Sequence, residues 1–116
     1  MTAAGHPRSI FKRACERGNL VVAEATLREL GRPTLGELLE LTILIASRDA
    51  RRHPRVAARW LQRYLDANDQ ATIDDAALAA SCLVALGGTR HEEAAMALRV
   101  MARVVSGELP TRLNGS

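Results

Sequence analysis

Aromatic residues are nearly missing from this chain of 116 residues, which has one Trp, one Tyr and one Phe. A core without large rings has to be assembled from Ala, Leu, Val and Ile, and hydrophobic residues still make up 47% of the chain. Ala and Leu favour helices, and small side chains let helix axes approach closely. Strand formers are scarce and no stretch alternates with period two, which argues against a sheet. Cysteine is limited to Cys15 and Cys82, each inside a predicted helix and far from the other. That spacing argues against a disulfide framework and a zinc site, and the expected state is two reduced thiols in a cytoplasmic protein. Long apolar runs are absent too: the longest, Ala76 to Leu86, is too short to cross a bilayer. The first thirteen residues lack the apolar segment of an export signal, so neither membrane nor secretion is expected. Lysine occurs once, at Lys12, so the net charge of +3 is carried by arginine. Abundant Arg and Ala match a GC-rich genome, and the lean toward positive charge permits an acidic partner.

Helix punctuation, by contrast, is dense. Ser9 is placed to cap a first helix ending near Arg17, and Gly18-Asn19 makes a tight turn. A second helix, about 20–30, stops at Gly31, a natural left-handed stop. Thr34-x-x-Glu37 has the form of a capping box and opens a third helix running to about Ser47. Pro54 fits the first turn of a fourth, ending near Ala67. Thr72, followed by Asp74 and Asp75, opens a fifth that Gly87-Gly88 terminates. Thr89-x-x-Glu92 repeats the capping-box form before a sixth, ending near Val105. These elements predict an all-α fold of about six helices as three antiparallel hairpins, either a compact bundle or a short α-solenoid. One helical domain is expected over 9–105, with a flexible N-terminus at 1–8 and a flexible C-terminal tail at 106–116.

A weak internal echo accompanies the hairpins. Arg52-His53 recurs as Arg90-His91, and Val22-Ala23 with Leu27 matches Val56-Ala57 with Leu61. The segment FKRACERGNLVVAEATLRELG resembles the helix, Gly-Asn turn and helix of tetratricopeptide or HEAT-like arrays, without the early Trp and closing Pro of the full tetratricopeptide pattern. RGNLVVAEATLREL followed by VAARWLQRYL resembles small helical proteins of unknown function from GC-rich bacteria. The resemblance implies a fold and no activity.

Wheel projections predict what lies inside. The fifth helix, apolar or small nearly all round, is expected to be central, together with the leucine-rich third helix. On the sixth helix Leu98, Met101 and Val105 make a core stripe, leaving Met96, Val100 and Val104 as a second apolar face. That face is a candidate partner surface, most simply for self-association, unless Leu109 or Leu113 of the tail covers it. The run SRDARRHPRVAARWLQRYL supplies the other candidate. Arg48, Arg51, Arg52, Arg55, Arg59 and Arg63 form a cationic surface, with Trp60 at its border and Ala57, Leu61 and Tyr64 facing inward. Guanidinium groups at helical spacing suit an acidic protein or phosphates. No Asn or Gln is expected on the same strip to suggest base readout, and Asp66 lies on the same side.

Nothing points to catalysis or a cofactor. Asp74-Asp75 and Glu92-Glu93 stand where acids stabilise helix starts, the serines have no nucleophile-elbow context, and Gly87-Gly88 follows a helix rather than a strand. The expected role is a non-enzymatic adaptor module with a protein partner or a second copy of itself. Nucleic-acid binding through the arginine row is the alternative.

Overall fold

The computed structural model describes residues 6–107, in which six helices are joined by short turns: α1 (Pro7–Arg17), α2 (Leu20–Leu30), α3 (Leu35–Arg48), α4 (His53–Ala67), α5 (Ile73–Ala85) and α6 (His91–Val105). No strand occurs among the described residues. Residues 1–5 and 108–116 lie outside them, and with them most of the expected flexible ends and Leu109 and Leu113. Capping signals account for the central boundaries. Thr34 Oγ1 accepts from the Glu37 amide at 3.0 Å, and the Glu37 carboxylate accepts from the Thr34 amide at 2.8 Å. Thr72 and Asp75 make the same reciprocal pair at the start of α5. Gly18, at φ 72°, turns the chain between α1 and α2, and Asn19 then caps α2 by accepting from the Val22 amide.

Two expected caps do not form. Helix α1 begins at Pro7, whose ring suits the first helical position, so Ser9 lies inside the helix. Helix α6 begins at His91 with Arg90 as its N-cap, and no side chain caps it. Arg90 instead forms a two-pronged ion pair with Glu93, both bonds 2.8 Å.

Helices α3, α4, α5 and α6 pack in sequence order into a closed antiparallel ring, α6 returning to α3 and α4 touching α6 across the middle. This closure makes the fold a bundle. The α1–α2 hairpin docks on the outer flank of α3 and does not reach α5 or α6. Two cores result. The larger, inside the ring, gathers Leu39, Ala57, Trp60, Tyr64, Ala79, Leu83 and Leu98. The smaller joins Phe11, Ala14, Ala23 and Leu27 to Leu44 of α3, and Leu38 packs against both.

Helix α3 is thus central, as its composition predicts: none of its apolar side chains is exposed. Helix α5 is not. Among the described helices it touches α4 and α6 alone, burying Ala79 and Leu83, while Ile73 and Val84 stand 87% and 78% exposed. The expectation of a central α5 failed because an apolar perimeter does not say how many neighbours exist to cover it. Five of its thirteen residues are alanines, which pack closely on one side without requiring cover on the other.

Trp60 also differs from its expected place at the border of the arginine strip. It is buried beneath α3, its Nε1 donating to the Leu35 carbonyl at 3.0 Å and its ring stacked on Tyr64 with centroids 5.5 Å apart. The inward face of α4 therefore centres on Ala57, Trp60 and Tyr64, with Leu61 on its flank.

Leu39→Ala, at a fully buried position of α3, is expected to cost about 2–5 kcal/mol. Val84→Ala on α5 should change stability by less than about 0.5 kcal/mol. Urea denaturation of both variants checks this, since an interior α5 would make the two losses comparable.

Candidate functional site

Because α3 is gripped by the α1–α2 hairpin on one side and by α4 and α6 on the other, two strips of its surface are left between neighbours. One becomes the floor of a groove between α2 and α4, with a volume of about 470 Å³. Leu38, Leu41, Thr42 and Ile45 of α3 form its floor, and Val56 and Trp60 its α4 wall. Arg52, Arg59 and Arg63 line the α4 rim, with Glu24 facing them from α2. The other strip underlies a groove of about 680 Å³ between α1 and α6, lined by Phe11, Lys12 and Cys15, by Gly36, Leu39 and Glu40, and by Arg99 and Arg103.

Their electrostatics differ. In the α1–α6 groove α3 supplies two carboxylates to the walls. Glu40 receives Arg99 through two hydrogen bonds of 2.7 and 3.0 Å, and Glu37 receives Arg8 at 2.8 Å. Charge there is largely matched across the cleft. In the α2–α4 groove only one end is matched. Arg52 bonds the Glu24 carboxylate, at 3.1 Å through Nη1, and also reaches Asp49. The hydrogen bonds from Arg52 hold the Glu24 carboxyl below its ordinary value against a smaller opposing effect of burial. Arg59 and Arg63, one turn apart on the rim, have no ion-pair partner among the described residues.

The structure divides the arginine row. Arg48, Arg51, Arg52, Arg55, Arg59 and Arg63 are all exposed, but they do not face one way. Arg48 lies over Gly18 of the first turn, Arg52 is tied to α2, and Arg59 and Arg63 border the groove. On α6, Met96 and Val100 are 64% and 46% exposed and Val104 is partly covered. Glu93 falls on the same face at helical spacing, held by Arg90, so that patch is interrupted by charge.

Sequence reasoning missed two features. The exposed stripe of Ile73, Ala77 and Val84 on α5 was legible as helical spacing and was assigned to the interior. The groove floor was not legible at all, because it depends on where α2 and α4 sit against α3.

At the ring's opposite side His53 Nε2 lies 2.8 Å from the Leu83 carbonyl, while its buried Nδ1 has no partner. Only the tautomer protonated on Nε2 can donate that bond, which joins α4 to α5. His91, its counterpart in the internal echo, starts α6 exposed. Among the described residues no group of three or more His, Cys, Asp or Glu is placed to hold a metal ion, and no helix is long and apolar enough to cross a membrane. Comparison with known protein families, curated proteins and solved structures finds no match to this chain.

Two pH effects follow. Burial, reinforced by Glu40 and Glu16, pushes the Cys15 thiol from 9.0 up to about 11. Only the thiolate alkylates, so at pH 8 Cys15 should react about a hundredfold more slowly than a thiol of ordinary acidity. Its rate should keep climbing until the pH nears 11, as iodoacetamide labelling with peptide mapping would record. Glu24, held low in the folded state, contributes stability above its ordinary range that is lost as pH falls through its depressed value. Arg52→Gln should therefore lower Tm at pH 7, and the gap to the parent protein should close in strong acid.

Proposed function

We propose that this protein is a non-enzymatic interaction module whose α2–α4 groove receives an acidic amphipathic helix. One observation carries the reading: Arg59 and Arg63 stand unpaired, one turn apart, along a floor whose accessible apolar surface is that of the half-buried Leu38 and Leu41. An apolar stripe on a partner covers the floor, and carboxylates flanking that stripe meet the guanidinium groups. The α4 rim from Arg52 to Arg63 spans about 16 Å, which matches about three helical turns. Recognition of an amphipathic helix in an apolar groove is a recurrent mode of protein docking, and the charges add on-rate and selectivity. The setting is cytoplasmic, where Cys15 and Cys82 remain free thiols.

The division of the arginine row favours a protein partner over nucleic acid. Arg52 is engaged by Glu24, and Arg48 turns toward the α1–α2 turn. A phosphate backbone gains from a continuous run of free cations and nothing from an apolar floor.

The test uses the single tryptophan, which walls the groove. A helical peptide of about 18 residues, with Leu on one face and Glu flanking it, should shift Trp60 emission with a Kd of about 10–100 µM, as a small interface implies. A Lys-flanked version should bind at least about tenfold more weakly, and so should the acidic peptide to Arg59→Glu/Arg63→Glu. Equal binding of both peptides, or tighter and steeply salt-dependent binding of a single-stranded oligonucleotide, overturns the reading.

A further inference from the structure

The acidic amphipathic helix that this groove requires is present in the chain itself. Helix α5 exposes Ile73, Ala77 and Val84 in a stripe, with Leu78 beside it. Asp74 lies between Ile73 and Leu78 on the same exposed face by helical spacing. Asp69, exposed just before the helix, adds a second carboxylate. Neither Asp69 nor Asp74 has an ion-pair partner among the described residues.

We infer that α5 of one copy docks in the α2–α4 groove of another, so that the protein assembles head to tail. The inference rests on the groove reading above and names its occupant. Three properties match. The stripe from Ile73 to Val84 and the rim from Arg52 to Arg63 each span about 16 Å. Apolar side chains exposed on α5 meet the apolar floor of α3. Asp74 and Asp69, at the N-terminal end of the stripe, meet Arg59 and Arg63, while Val84 approaches the end where Arg52 and Glu24 already neutralise each other.

Helix α5 packs on α4 inside the ring, and the groove lies between α4 and α2, so the two surfaces belong to different sides of α4. One copy cannot satisfy itself. Helix α5 carries no Lys, Arg or His, so a two-fold pairing of α5 with α5 offers Asp74 no cation from the facing helix. The groove supplies that cation, so the contact is heterologous and repeats into a ring or an open chain.

Sedimentation and light scattering of the full chain over a concentration series provide the readout. Wild type should gain mass with concentration, and less so at high salt. Arg59→Glu/Arg63→Glu removes the receiving surface and Val84→Glu the donating one, and each variant alone should stay monomeric. Ile73→Asp is a second donor variant, and circular dichroism confirms that each is folded. An equimolar mixture of the two defective proteins retains one good groove and one good α5, so it should form a 1:1 dimer and nothing larger. A wild type that remains monomeric at about 1 mM, a mixture that fails to dimerise, or either variant still assembling overturns head-to-tail docking. Binding of the acidic peptide by a monomeric wild type would then leave the module reading standing with another partner, whereas loss of both removes the groove itself.

Discussion

Burial of α3 from two sides is the constraint on which everything else in this molecule depends. Leu39 and Ala46 face the ring formed with α4, α5 and α6, while Leu44 and Leu41 face the α1–α2 hairpin. Each fully buried leucine contributes roughly 1.5–3 kcal/mol through removal of apolar area from water. The ion pairs that cross from α3 to its neighbours are partly exposed, and such pairs contribute about 1 kcal/mol or less each. Their effect is on seating. Glu37 and Glu40 lie one turn apart and reach opposite walls, Arg8 on α1 and Arg99 on α6, so rotation of α3 about its axis would break both contacts at once. A rod held by apolar contact on two flanks still has strips that no neighbour covers, and those strips are the grooves.

Local signals were readable where the chain answers a local question. Thr34 and Thr72 cap the helices that follow them because donor and acceptor lie three residues apart, within reach whatever the rest of the fold does. Thr89 has the same pattern and fails because Arg90, one residue on, offers Glu93 a charged partner and becomes the N-cap itself. The bundle's class, its number of helices and its turns followed from such signals together with the Ala and Leu content. The contacts that shape the candidate site did not. Glu24 and Arg52 are 28 residues apart, and Glu40 and Arg99 are 59 apart, so no spacing rule connects them.

The misreading of α5 has the same origin. An apolar perimeter is compatible with an interior helix and equally with an edge helix whose outer face is sticky, and only the number of available neighbours separates the two. Among the described residues six helices are divided between a ring of four and a docked pair, and none of them covers Ile73 and Val84. Trp60 was misplaced for a related reason. Counting from the arginines put it at their border, but its ring sits where α4 crosses the first turn of α3, and the Leu35 carbonyl holds the indole there.

Helix α4 therefore carries several different surfaces within fifteen residues. Ala57, Trp60 and Tyr64 enter the core, His53 fixes α5 through the Leu83 carbonyl, and Arg59 and Arg63 stand over the groove. A cationic face with no apolar surface beside it is adequately explained by solvation. The situation changes when unpaired guanidinium groups border the half-buried Leu38 and Leu41, whose remaining apolar area water wets at a cost of roughly 25 cal/mol per Å². Covering that floor is favourable only for a partner that brings apolar area, and tolerable beside two arginines only if the same partner also brings negative charge. Phosphate satisfies the second condition alone, and a purely apolar segment satisfies only the first. An amphipathic acidic helix meets both, and α5, with Asp74 set among its exposed apolar residues, has that character.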